Sequence, residues 1–386
     1  MEATHGSLEP NKYLVAMATT TYRPPEIEGG MYSQGPDVQS GACRVRVVGV
    51  VEETHDARSI LVEPHPDHSS AFDYSPGQFL TIRVPDVGSG TARCYSLSSS
   101  PHVDPTMKIT VKRVDGGHGS NWLCDNVDEG DELEVLPPSG SFKARTLDES
   151  VVLVAGGSGI TPVMAIAKSI LFAGSGHVLL IYANRDEKSV IFGQELRELT
   201  GRFADRLTVI HALQSVQGFL TVEALSALIR PLADRAVYTC GPAPLMKVVK
   251  EACATAGVES SRVMSERFVS LTSDPFGGVR ESVPDHAEDD GSETAADVGA
   301  IEVTLDGETL SVPWSGSKRL LDALLDAGVD APFSCREGAC SACVCTLTSG
   351  EVRMTRNEVL EDEDVADGYI LTCQAEMVSP EISIEY

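Results

Sequence analysis

Four of the ten cysteines stand at Cys335, Cys340, Cys343 and Cys373, a C-x4-C-x2-C run with its fourth member far downstream. This is the plant-type spacing for a 2Fe-2S cluster: three thiolates on one loop wrap one side, and the distant fourth closes the site. The residues between them, Arg336, Glu337, Gly338, Ala339, Ser341 and Ala342, are mostly small. Backbone N–H groups can therefore approach the inorganic sulfides and tune their potential. A structural zinc site pairs two short-spaced ligand pairs, and only one C-x2-C occurs here. Cys345, two residues past Cys343 in an apolar run, reads as a buried core thiol. The other cysteines are scattered singly, the usage of a reducing cytoplasm.

A second constellation is Arg93, Tyr95 and Ser96 in an R-x-Y-S run. On a strand Arg93 and Tyr95 share a face, where a guanidinium can grip a pyrophosphate and an aromatic ring can cover a flavin. Ser96 offers a hydroxyl to the flavin N5 edge. Downstream, Gly116, Gly117, His118, Gly119, Ser120 and Asn121 precede an amphipathic stretch at Trp122 to Cys124. Glycines followed by Ser at a helix start form a cradle for a second phosphate.

The third is Val151 to Ala155 running into Gly156, Gly157, Ser158, Gly159, Ile160, Thr161 and Pro162. Pro162 replaces the third glycine of G-x-G-x-x-G, yet the turn still admits a dinucleotide pyrophosphate, with Thr161 as a cap and Pro162 opening the helix. Cys240 and Gly241 close a later strand and so stand where a nicotinamide would bind. Ser96 and Cys240 are the candidate catalytic residues. No covalent role is expected for Cys240, because hydride passes directly between stacked rings. After the second strand, Asp186 favours a free ribose 2′-hydroxyl and Arg185 a 2′-phosphate; the reading adopted is NADH.

These residues need three scaffolds. Short strands with turn residues from Cys43 to about Lys143 predict an antiparallel β-barrel for the flavin. Strands at Val151 to Ala155, His177 to Ala183, Leu207 to Leu213 and Ala236 to Cys240, with Arg262 to Phe268 as a possible fifth, alternate with helical patterns, which predicts a doubly wound α/β domain. An alternating hairpin at Ile301 to Val312 and a short helix at Leu320 to Leu325 precede the cysteine loop, in a module read as a β-grasp ferredoxin domain. The expected domains are a disordered extension over 1–40, an FAD-binding barrel over 41–146, an NAD-binding domain over 147–272, an acidic linker over 273–298 and the 2Fe-2S domain over 299–386. Between Glu281 and Val298 seven residues are acidic and none is Lys or Arg, too polar a stretch to order itself.

The formal charge of −27 argues against nucleic acid and anionic membranes as partners and favours a basic protein. From Met1 to Ser40 no charged start is followed by an apolar run, and no stretch is long enough to span a bilayer. From Gly299 to Tyr386 there are 17 acidic against 5 basic residues, so the last module is the expected docking surface.

The runs RCYSLSSSP, GSNWLCD, GGSGITPVM, YANRDEKSVIFG, CGPAPLM and DAPFSCREGACSACVCTL resemble the ferredoxin-NADP reductase superfamily. With the cluster module they look like reductase components of multicomponent oxygenases, and they are most similar to those of actinobacterial 3-ketosteroid 9α-hydroxylases. The resemblance implies FAD contacts at Arg93, Tyr95, Ser96, Val111, Lys112, Gly119 and Ser120. It implies a nicotinamide nucleotide against Gly157, Thr161, Cys240 and Gly241, cluster ligation by the four cysteines, and a monomeric cytoplasmic protein serving a Rieske-type oxygenase. Phe268, in the segment Glu266 to Phe268, is either a ring that stacks on the flavin or a core aromatic. Hydride supplies two electrons and a 2Fe-2S centre takes one, so the flavin must divide the pair, and the ferredoxin module is expected to alternate between flavin and oxygenase. Other recipients of the same modules are di-iron hydroxylases, acyl desaturases and aromatic-ring oxygenases, and a carrier that does not turn over is a further alternative.

Overall fold

The computed structural model describes residues 42–85, 91–269, 271, 275–276, 298–305 and 307–386. The extension expected over 1–40 and most of the expected acidic linker lie outside the described residues.

The first domain contains β1 (Cys43–Thr54), β2 (Ala57–Pro64), β3 (Phe79–Val84), β4 (Thr91–Ser96), β5 (Met107–Lys112), α1 (His118–Asn126) and β6 (Glu132–Ser139). Along β1, Cys43, Val45 and Val47 are buried while Arg44 and Arg46 face solvent, the period of two that one buried sheet face imposes. The six antiparallel strands run β4-β3-β6-β1-β2-β5. A bridge between Leu97 and Ile109 joins the two outer strands and closes the barrel. Its core holds Ile60, Leu80, Ile82, Ile109 and Val135, with Leu123 and Cys124 of α1 against them.

The second domain follows with β7 (Val151–Gly156), α2 (Ile160–Ala173), β8 (Val178–Asn184), α3 (Gly193–Arg202), β9 (Leu207–Leu213), α4 (Gln214–Gln217), α5 (Val222–Ile229), β10 (Ala236–Cys240), α6 (Ala243–Ala256) and β11 (Val263–Glu266). Its strands are all parallel, in the order β11-β10-β7-β8-β9. Every residue of β7 is buried because helices cover both faces: α2 and α3 pack on one, α5 and α6 on the other. Strand order runs outward from β7 in both directions. The crevice beyond the carboxyl ends of β7 and β10 is therefore the switch point at which such sheets bind ligands.

The third domain has β12 (Val298–Leu305), β13 (Glu308–Ser315), α7 (Leu320–Asp326), β14 (Val344–Ser349), β15 (Val352–Met354), α8 (Asp362–Ala366), β16 (Tyr369–Leu371), β17 (Ala375–Met377) and β18 (Glu381–Glu385). The main sheet runs β13-β12-β18-β14-β16, with β12 and β18 parallel and the other pairs antiparallel. Leu320, Leu321 and Leu324 of α7 pack with the buried Trp314 against this sheet, the β-grasp arrangement.

One boundary differs from expectation. Pro275 and Phe276, placed by composition in the solvated linker, are buried. The Arg83 guanidinium lies 4.6 Å from the centroid of the Phe276 ring, so Phe276 packs on the barrel.

Candidate functional site

The cysteine loop spans the gap between α7 and β14. Arg336 and Ser341 take positive φ values of 55° and 54°, strained for side-chain-bearing residues, and Gly338 takes 74°. This winding turns amides inward. The N–H groups of Glu337 and Ala339 donate to Cys335 Sγ at 3.4 and 3.3 Å, and that of Cys335 donates to Cys340 Sγ at 3.3 Å. All four thiols are buried. Hydrogen bonds from Cys340 and Cys373, assisted by the two amides, bring the Cys335 thiol down to about 3. Cys343 is likewise lowered, first by Cys373. The four sulfurs thus form one connected group, running from Cys340 to Cys335 to Cys373 to Cys343. Four buried, adjoining thiols with backbone amides turned toward them fit a binuclear cluster. Cys345 is buried in the domain core, where desolvation raises its thiol.

On the barrel, Arg93 lies flat across the start of α1. A Cβ added at Gly119 would fall 2.8 Å from Arg93 Cγ, so only glycine lets the arginine and the helix start meet. The arginine and the helix start expected to hold a flavin pyrophosphate therefore adjoin, while Arg93 Nη1 donates to the Ala92 and Leu271 carbonyls at 2.7 and 3.2 Å. Two expected contacts differ. Ser120 Oγ accepts from the Val114 amide at 3.1 Å and closes the preceding turn, leaving its own backbone for an anion. The Val111 side chain is in the barrel core, so only its backbone faces outward. Tyr95 packs against the same core.

At the switch point, a Cβ at Gly159 would lie 2.1 Å from the Cys240 carbonyl oxygen, and one at Gly241 would lie 3.1 Å from the Gly156 amide. The two turns thus touch backbone to backbone. Gly157 accepts from the Tyr182 hydroxyl at 3.0 Å, and Thr161 Oγ1 donates to the Ser158 carbonyl at 3.0 Å. Lys112 Nζ reaches from the barrel to within 3.7 Å of the position a Gly157 Cβ would occupy. At the end of β8 the Asn184 carboxamide is buried with neither polar atom hydrogen-bonded. Such an orphan calls for a partner from outside the chain, which fits a nucleotide seated there. The Asp186 carboxylate instead caps a turn, accepting from Ser189 N at 3.0 Å and Ser189 Oγ at 2.8 Å, while Arg185 pairs with Asp56 at 2.9 Å.

The three sites meet. Thr81 Oγ1 of β3 and Ser334 Oγ, beside Cys335, lie 2.6 Å apart and both are fully buried. Around this bond Phe79, Ala92 and Leu136 of the barrel pack with Cys335, Ala339, Cys340 and Ala342 of the cluster loop. Next to the seam is a cavity of about 710 Å³ lined by Ser96, Glu266, Phe268 and Cys340, a size suited to a cofactor ring system. Phe268 is 51% exposed and lines this cavity, which removes the core-aromatic reading. Cys240 is fully buried, and desolvation holds its thiol well above the ordinary value.

The site also contains a group that motif spacing did not single out. Glu266 ends β11 beside Cys240, accepts a hydrogen bond from Ser96 Oγ at 3.2 Å, and is buried. Burial raises its carboxyl to about 8, against the opposing pull of the Ser96 hydrogen bond. Its signal was an acidic residue at the carboxyl end of a parallel strand, where a solvated side chain is the ordinary expectation.

Three family models match the chain: an oxidoreductase FAD-binding domain over residues 45–144, an oxidoreductase NAD-binding domain over 153–251 and a 2Fe-2S iron-sulfur cluster binding domain over 303–378. The chain is 50% identical over 352 residues to the 3-ketosteroid-9-alpha-monooxygenase ferredoxin reductase component of Mycolicibacterium smegmatis, covering 90% of this chain and 98% of that one. It is 48% identical over 341 residues to the protein of the same description from Rhodococcus rhodochrous, covering 88% and 95%. Among solved structures, phthalate dioxygenase reductase superposes with a TM-score of 0.53 at 25% identity over 90% of this chain and 98% of that one. The chain is an electron-transfer oxidoreductase with FAD-, NAD- and 2Fe-2S-binding domains, and it belongs to the family of 3-ketosteroid-9-alpha-monooxygenase ferredoxin reductase components.

Proposed function

We propose that the chain carries electrons from NADH to a Rieske-type terminal oxygenase that hydroxylates 3-ketosteroids at the 9α position, acting as a monomer in the cytoplasm. The observation that carries the electron route is that Ser96 of the R-x-Y-S strand, Glu266 and Phe268 at the end of the second domain's last strand, and Cys340 of the cluster loop line one cavity. The steroid assignment rests on half-identity over nearly the full length of a relative so described.

FAD, when bound, supplies the change from a two-electron donor to a one-electron acceptor. The protein's part is positioning. Arg93 and the α1 amides at Gly119 and Ser120 hold the flavin pyrophosphate, with Tyr95 beside the ring and the backbone at Val111 alongside. Lys112, Gly157 and Thr161 receive the nicotinamide dinucleotide's phosphates, and Cys240 and Gly241 form the floor under its reactive ring. Phe268 lines the cavity beside them. Ser96 Oγ and Glu266 form a hydrogen-bonded pair in which the carboxyl, raised by burial, keeps its proton at neutral pH and so presents no charge to an incoming hydride. Cys335, Cys340, Cys343 and Cys373 hold the cluster. Hydride transfer works at near-attack separations of about 3 to 3.5 Å, so a rigid floor at Cys240 matters more than any reactivity of its thiol.

The test is reconstitution. NADH, the FAD- and iron-loaded chain, a candidate Rieske oxygenase and androstenedione should yield a 9α-hydroxylated product. NADH oxidation coupled instead to a fatty-acyl or aromatic-ring oxygenase, with no steroid product, would move the assignment to that partner. Absence of NADH-driven bleaching of the flavin band would reduce the chain to a carrier.

A further inference from the structure

The cluster loop reaches the barrel through a short buried seam, and the ferredoxin domain has a second attachment at α8. Glu361, at the start of α8, receives Lys250 Nζ from α6 and Arg267 Nη2 from the segment after β11, one on each carboxylate oxygen. Its backbone amide is fixed by Asp364 Oδ2 at 2.8 Å, so the carboxylate is presented from an ordered helix start. Lys250, and then Arg267, keep its carboxyl below the ordinary carboxylate range. Lys250, Arg267 and Glu361 line the cavity to which all three domains contribute, with Cys340 of the cluster loop and Phe79 of the barrel also in its wall. The ferredoxin domain is thus held at two points: a buried contact at the cluster and a solvated, ionic one at α8.

We propose that Glu361 is a positioning residue for internal electron transfer: by bridging Lys250 and Arg267 it holds the ferredoxin domain closed, with Ser334 and Cys335 seated on β3. The inference rests on the electron route proposed above and adds to it the group that controls closure. The ferredoxin side of the buried seam is made of alanines, cysteines and the Ser334 hydroxyl, so it orients the loop without fastening it. The ionic pairs supply the fastening and, being part-exposed, weaken with salt. Arg267 lies between Glu266 and Phe268 in the cavity wall, so the fastening point adjoins the cavity that the cluster loop also lines.

The experiment uses the full chain loaded with FAD and the cluster, mixed anaerobically with NADH in a stopped-flow instrument. Flavin bleaching and cluster reduction are recorded separately, the latter also by rapid-freeze EPR, and small-angle scattering is collected on the same samples. In Glu361→Gln, and independently in Lys250→Gln from the other side, flavin bleaching should stay within about twofold of wild type. Cluster reduction should slow about fivefold or more, as expected for loss of part-exposed ion pairs. Its dependence on ionic strength should flatten, and the radius of gyration should rise. Glu361→Asp should fall between wild type and Gln. Unchanged cluster reduction in both Gln variants, an unchanged scattering profile, or a parallel fall in flavin bleaching would each overturn the proposal. Failure of the proposed electron route would look different: wild type itself would show no flavin bleaching with NADH.

Discussion

Replacing Glu266 by Gln tests whether the cavity holds a neutral carboxyl. In the folded chain burial raises this group from an ordinary 4.5 to about 8. Between those two values the folded state holds a proton that the unfolded state has released. The contribution of Glu266 to stability is therefore complete below pH 4.5 and declines as pH rises toward 8. Gln has the same shape and no titration, so the stability difference, variant minus wild type, should grow with pH. At 1.36 kcal/mol per unit, the increase from pH 5 to pH 7 amounts to roughly 2.5 kcal/mol. Urea unfolding followed by release of flavin fluorescence at several pH values measures it on the two domains that share the residue. Infrared spectra provide an independent reading: a protonated-carboxyl band should persist at neutral pH, disappear with a midpoint near 8, and be missing in Glu266→Gln. A difference that is flat with pH, or a band lost near the ordinary carboxylate range, would show that water or a cation reaches the group and refute the neutral-carboxyl reading.

Gly119→Val places atoms within the space of the Arg93 side chain, so flavin retention after gel filtration should fall at least tenfold while far-ultraviolet circular dichroism stays unchanged. Lys168 is buried between Asp104 at 2.6 Å and Glu195 at 2.7 Å, tying the barrel to the second domain. Lys168→Met should lower the urea-derived stability by about 3 kcal/mol, the smaller end of the range for breaking a buried pair, because Lys108 still faces Glu195. Cys373→Ser should abolish the axial or rhombic EPR signal of the reduced cluster and lower its iron content, whereas Cys345→Ser should retain both; loss of the signal in the Cys345 variant alone would reassign the fourth ligand.

What could be read from the chain follows from the range of each interaction. β3 and β9 have the bounds that alternation and apolar runs predict, Phe79–Val84 and Leu207–Leu213, because local pattern and buried face coincide there. The cysteine loop and the glycine turn were legible because their chemistry demands residues close in sequence. The Thr81–Ser334 bond was not, since its partners stand 253 positions apart and both residue types are ordinary on surfaces. Lys168 reads as the polar edge of an amphipathic helix, and only the approach of the barrel turns it into a buried cation. Phe276 was hidden for a related reason: composition averages over a window, and one aromatic anchored by Arg83 outweighs its polar surroundings. The choice between Asp186 and Arg185 was posed on side-chain type alone. Both side chains have partners within the chain, and the unsatisfied group nearby is Asn184.

A ferredoxin domain that must hand its electron to a second protein cannot be bound tightly to the first. The seam reflects this, for its ferredoxin side consists of alanines and cysteine ligands, Ala339, Ala342, Cys335 and Cys340, which bury little apolar area. Separate proteins would need an interface of about 1,200 Å² or more to stay together. A covalent connection removes that need, because an effective concentration in the millimolar range keeps even a weak contact mostly closed. The economical arrangement is then a small dry patch for geometry and a few solvated charges for occupancy, with the covalent link supplying the remainder. Enlarging the seam, for instance by Ala342→Leu, would favour the closed form at the expense of delivery. Evolution toward a tighter internal contact is therefore opposed by the same transfer that the contact serves.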